Sequence, residues 1–93
     1  MKTYKPFFAT LRGKRYKIVF TNLTKIDADC DHPSSKHKTI RSDSKVKNPY
    51  HLLELAIHEG LHACFFDLDE DSVNQAANDI TKLAHKVLNL KIK

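Results

Sequence analysis

The chain is poor in the residues that would tie it together covalently or carry it through a membrane. Cys30 and Cys64 are its two cysteines, too few for a disulfide framework. No N-terminal apolar run precedes a small-residue cleavage site, and no apolar stretch is long enough to span a bilayer. The expectation is a reduced, cytoplasmic protein, working inside a host cell if a phage encodes it. Ninety-three residues are also too few for two lobes flanking a cleft. They predict one domain, 1–93, with one modest core, and any enzyme among them would be a minimal one.

Acidic residues are scarce in the first half. Residues 1–47 hold 12 Lys/Arg against 4 Asp/Glu, whereas 48–93 hold 4 against 7. A basic half can face nucleic acid, an acidic partner or water. Its cations are scattered through a strand and loops rather than lined along one helix, which favours water and leaves nucleic acid the less favoured partner. The acidic half suits a cation site.

Glycine is scarce too, with Gly13 and Gly60 alone. Before Gly13, Pro6 interrupts an aromatic cluster of Tyr4, Phe7 and Phe8; it permits an edge segment and argues against a central strand. The structure of 1–13 is otherwise left open. After it, Tyr16, Ile18 and Phe20 alternate with Lys17, Val19 and Thr21, the clearest strand signal in the chain, over 14–23. Ala28 to Ser35 is dense in turn formers and reads as a loop. Its Cys30, Asp31 and His32 are metal-ligand types, but three adjacent side chains rarely converge on one ion, and turn amides are the usual partners of such Asp and His. A short strand is predicted over 38–41.

The segment 48–66 reads as one helix, with Asn48 as N-cap and Pro49 as first helical residue. It carries His58-Glu59-Gly60-Leu61-His62, an HExxH pattern that arises by chance about once in a hundred chains of this composition. Two imidazoles at i and i+4 project from one helix face and can bind one tetrahedral Zn²⁺. Glu59 lies about 100° further round, beside the metal rather than on it, where it can act as general base. The competing reading is an amphipathic helix whose solvated face carries these residues for no chemical purpose.

With His58 at 0°, His51, Leu55, His62 and Phe65 fall between about −20° and +60°. Leu52, Leu53, Ala56, Ile57, Gly60, Ala63 and Cys64 fall on the opposite, core side. Gly60 there predicts close approach of a strand. His51 shares the histidine face and is a candidate for substrate contact, a plain surface histidine being the alternative.

A second helix is predicted from Asp69, its N-cap, to about Asn89, with an apolar stripe of Val73, Ala76, Ala77, Ile80, Leu83, Ala84 and Val87. The short linker makes the two helices a hairpin whose inner faces meet. Stepping back along the stripe reaches Glu70, while Asp71 points away. Glu70 is therefore the candidate third metal ligand, with Asp67 in the turn as the alternative. Acids favoured by the helix N-terminus alone would look the same.

From about Arg12 to Leu88 the chain resembles small phage and bacterial metallopeptidases of HExxH type. The likeness rests on the Tyr16 to Phe20 strand, Asp29-Cys30-Asp31-His32-Pro33, Lys38-Thr39-Ile40-Arg41, Ile57-His58-Glu59-Gly60-Leu61-His62-Ala63 and Asp67-Leu68-Asp69-Glu70-Asp71-Ser72-Val73. More broadly it is similar to minimal, gluzincin-like zincins. That resemblance implies zinc held by His58, His62 and Glu70, with Glu59 as general base. It also implies that the strand before the active-site helix borders the substrate, a role that falls to Thr39 to Arg41 and so to Ile40. A transition-state donor is not evident; Tyr50, His51, His32 and His85 are candidates.

The expectation is thus an α+β domain, a small, mainly antiparallel sheet packed on a C-terminal helical hairpin. Its expected function is zinc-dependent hydrolysis of an amide bond in a peptide or protein substrate. The alternative is a metal-stabilised, non-catalytic protein that engages a host protein or nucleic acid.

Overall fold

The computed structural model describes residues 4–90. Residues 1–3 and the end of the tail, Lys91-Ile92-Lys93, lie outside it. Six elements follow one another: β1 (Phe7–Leu11), β2 (Lys14–Thr21), β3 (Ala28–Cys30), β4 (Thr39–Asp43), α1 (Pro49–Cys64) and α2 (Glu70–Leu88). The chain is an α+β fold, a four-stranded sheet against two C-terminal helices that pack on each other.

β1 and β2 form an antiparallel hairpin, with Phe7 opposite Ile18 and Leu11 opposite Lys14. Its two-residue turn has Arg12 at φ 49° and Gly13 at φ 77°. Positive φ at both central positions is the turn whose twist matches paired strands, and glycine supplies one of them without strain. Consistent with Pro6, β1 is an edge strand in the order β1-β2-β4-β3.

Two of the three strand pairings are antiparallel and the third is parallel, so the sheet is mixed. β2 and β4 run parallel, with Ile18 opposite Ile40, and β3 then pairs antiparallel on the far side of β4. The expected 28–35 loop therefore contains a strand. β3 is too short and too polar to show a period of two. Its backbone pairing with β4 is accompanied by cross-strand charge: Arg41 Nε donates to Asp29 Oδ1 at 2.7 Å, and its Nη2 donates to Asp31. The end of β4 is pinned in the same manner. Asp43, 5% exposed, accepts at Oδ1 from the amides of Leu23 (3.4 Å) and Lys45 (3.2 Å) and from Lys45 Nζ (3.2 Å). Its own amide donates to the Asp27 carbonyl at 2.7 Å.

α1 starts as its sequence predicts, with Asn48 Oδ1 accepting from the Tyr50 amide at 2.9 Å and Pro49 in the first turn. It ends at Cys64, where the Phe65 amide reaches the Leu61 carbonyl at 2.8 Å. Asp69 caps α2 through the Ser72 amide at 3.1 Å.

The core has two small parts. Tyr16, Ile40 and Ala63 are buried between sheet and α1, with Leu11, Ile18 and Cys30 half-buried around them. Val73, Ala77 and Thr81 are buried where α2 meets α1. Full burial of a side chain such as Val73 contributes roughly 1.5–3 kcal/mol. Thr81 replaces part of the predicted stripe, for Ile80, Leu83 and Val87 are exposed. The row at i, i+4, i+8 brings small side chains to α1, and the Thr81 hydroxyl satisfies itself on the Ala77 carbonyl at 2.6 Å. A search by hydropathy passes over such a threonine.

Gly60 has no strand against it: a Cβ there would meet nothing within 4 Å. It lines, with the exposed Ala56 and with Leu52, Leu53, Phe7 and Phe20, an apolar groove of about 560 Å³ between α1 and the β1–β2 side of the sheet. α2 lines none of this groove, since among the described elements it packs on α1 alone. No helix among the described residues is long and apolar enough to cross a membrane.

Candidate metal centre

His58 and His62 stand one turn apart on α1, half-buried, with Nε2 atoms 3.2 Å from each other. Glu70, the first residue of α2, closes the group from across the hairpin. Its Oε1 lies 2.9 Å from His58 Nε2 and its Oε2 lies 3.0 Å from His62 Nε2. Three potential ligand atoms thus lie within 4.8 Å of one another. The local cause is the phase of α2. Burying Val73 and Ala77 against α1 turns Glu70, three residues before Val73, to the same side.

This donor set fits a divalent metal. Around a tetrahedral ion with bonds of about 2.0–2.2 Å, neighbouring ligand atoms are separated by roughly 3.4 Å, close to the spacing here. Each imidazole nitrogen faces its own oxygen of the Glu70 carboxylate, so the three side chains converge on one point. The Glu70 side chain is 61% exposed, so the cluster opens to solvent on that side.

Glu59 is more deeply placed, 6% exposed. Burial, with the nearby charges of Asp29 and Glu70, pushes its carboxyl up to about 7. No hydrogen bond from the described residues ends on that carboxylate. Its oxygens reach the solvent of a groove, and among the described residues the buried side-chain atom without a partner is the Tyr16 hydroxyl. The groove, of about 440 Å³, is lined by Glu59 together with His58, Ala28, Glu54, Leu55 and Asn74. One wall is Ile26, Asp27 and Ala28, where the chain enters the edge strand β3; the other is the helical hairpin.

The remaining sequence candidates fall elsewhere. His51 does not join the histidine pair. Its Nε2 is 3.1 Å from Asp27 Oδ2 and its Nδ1 is 3.7 Å from Glu54 Oε1, two carboxylates that also border the groove. Ile40 is 4% exposed and belongs to the core beside Tyr16. It borders the apolar groove and not the one holding Glu59. Its strand is paired along both edges, so β3 occupies the position beside the helix that was expected of β4.

Asp67 lies in the exposed turn and lines a different depression, with His32 and Phe66. His32 is satisfied locally, its Nδ1 accepting from the Ser34 amide at 3.0 Å, and its ring meets Phe66 edgewise at 4.2 Å. Asp31 accepts from the Thr39 amide at 3.2 Å as well as from Arg41. Tyr50 and His85 pack on one another at 4.9 Å. Among the candidate donors none lines the Glu59 groove, whereas Asn74 does. Asn74 follows Glu70 by four residues, and that i, i+4 spacing is the signal by which the sequence places both on one face.

No protein-family model, no curated protein and no solved structure matches this chain.

Proposed function

We propose that the protein is a zinc-dependent metallopeptidase of minimal zincin type, in which His58, His62 and Glu70 hold the ion. The observation that carries this reading is the meeting of those three side chains next to a buried carboxyl, Glu59, that faces an open groove. Three protein ligands leave room at the ion, and bound zinc would lower the pKa of a water there towards about 7 and polarise a carbonyl.

The chain's own residues supply the rest. Glu59 stands next to His58 and faces the groove, placed to exchange a proton with a group bound there. It takes one from the attacking water and returns it to the leaving amine. The segment Ile26 to Ala28, entering the edge strand β3, borders the groove and would lie along a substrate peptide beside Glu59, the role expected of Ile40. His51, held by Asp27 and Glu54, stands at the rim as the residue for a substrate side chain.

The test uses protein purified without an affinity tag and a quenched-fluorescent peptide library as probe. Zinc near one equivalent, lost in His58→Ala and retained in Glu59→Gln, with cleavage lost in both, is the expected result. Undiminished cleavage by zinc-loaded Glu59→Gln would sink the mechanism. Zinc without cleavage of any peptide would favour a metal-stabilised binding protein.

A further inference from the structure

α2 presents two faces, and α1 covers one of them. With Val73 at 0°, the residues turned to α1, namely Glu70, Ala77, Thr81 and Ala84, fall between about 0° and 80°. Ala76, Ile80, Leu83 and Val87 fall between about −20° and −80°, a separate strip beside it. Of these, Ile80 is 41%, Leu83 62% and Val87 55% exposed. Their spacing alternates four, three, four, the a/d repeat of helices that pack along a seam.

The residues flanking this strip indicate what covers it. On the α1 side stand Ala77 and Ala84, too small to obstruct a neighbour. On the outer side, at about −120° and −140°, stand Asp79 and Lys86, one of each sign and one heptad apart. Neither has an ion-pair partner within the chain among the described residues.

We propose that this face is the contact between two copies of the chain, their α2 helices antiparallel about a twofold axis. Ile80 of each copy packs against Leu83 of the other, and Ala76 against Val87. In that register Asp79 of each copy comes beside Lys86 of the other, twice per dimer, since outer flanks meet like with like in antiparallel pairs. Sliding one heptad brings Lys86 against Lys86, and parallel pairing sets Asp79 opposite Ala84. Charge therefore selects one arrangement. A twofold contact needs a self-complementary patch, and this strip is one. Glu70 lies on the covered side of the same helix, at its far end, so the histidine cluster stays accessible in the dimer.

Sedimentation equilibrium of the full chain, in chelator so that metal cannot bridge copies, tests this over about 1–500 μM. A monomer–dimer equilibrium is expected. Leu83→Glu, at a position already exposed, abolishes it while leaving the far-UV circular dichroism unchanged. Asp79→Lys weakens association about tenfold, and Asp79→Lys with Lys86→Asp restores it. A monomer throughout, or a dimer indifferent to Leu83→Glu, overturns the proposal. A dimer lost with Leu83→Glu but indifferent to the charge changes overturns the antiparallel register.

Discussion

Glu70 Oε2 lies 3.0 Å from His62 Nε2, so the N-terminus of α2 and the last turn of α1 are joined by a contact that hydrophobic packing alone does not require. The Glu70 side chain is 61% exposed and an isolated surface pair of this kind contributes about 1 kcal/mol or less. Its value is greater as one of several groups around an ion.

Glu70→Gln is therefore expected to leave the fold intact and to weaken zinc binding by about a hundredfold or more, the loss of a direct ligand exceeding that of its supports. Asp67→Ala leaves zinc affinity unchanged. Competition against a chromophoric chelator measures both, and equal effects would move the third ligand into the turn.

Glu59 is expected to make the metal-free protein less stable at alkaline pH. Its carboxyl rises from 4.5 to about 7 on folding, so the folded chain holds a proton that the unfolded chain has released. Stability from this group falls as pH climbs from about 4.5 through 7, by on the order of 3 kcal/mol in full. Urea unfolding in chelator should find Glu59→Gln more stable than the parent at pH about 8, with the gap closing near pH 4. A gap independent of pH would show that something other than this proton is responsible.

Asp43 has the opposite sign. Burial raises its carboxyl, but the amide and ammonium of Lys45 and the amide of Leu23 outweigh that and hold it below the usual value. The stabilisation is present above the ordinary carboxylate range and is lost as pH falls through the lowered value. Asp43→Asn should lower the urea midpoint at neutral pH, and the difference should shrink in acid as the parent loses the same interaction.

Cys30 should be inert. Burial, with Glu59, Asp31 and Asp29 nearby, pushes its thiol up to about 12. At pH about 8 the thiolate needed for alkylation is scarcer than in a free cysteine by roughly a thousandfold. Mass-spectrometric mapping after brief iodoacetamide treatment should find Cys30 unmodified until urea is added; rapid labelling of the folded protein would contradict the burial.

The helices were legible because their signals are local. Asn48 and Asp69 cap with their own side chains, and the phase of Val73 and Ala77 orients Glu70 without reference to the sheet. Where the reading failed, partners distant in sequence decide the outcome. β3 forms by backbone pairing with β4, with Arg41 on Asp29 and Asp31 beside it, and Ile40 lies inside because its face of β4 packs with Tyr16 and Ala63. Thr81 is buried by its place in the row with Val73 and Ala77, and its hydroxyl tolerates burial through one hydrogen bond that hydropathy cannot register. The burial of Glu59 was unforeseen because a carboxylate at that helical phase reads as a solvated group until its neighbours are known.

The parallel pairing of Ile18 with Ile40 also bears on the order in which the chain assembles. Joining β2 to β4 requires the whole intervening segment to loop out and return, an entropic cost met before any contact rewards it. The helical hairpin closes over a short turn and needs no such excursion. Its histidines and Glu70 can meet while the sheet is still unformed, and an ion captured then would fasten the C-terminal half first and give the strands a template on which to collapse.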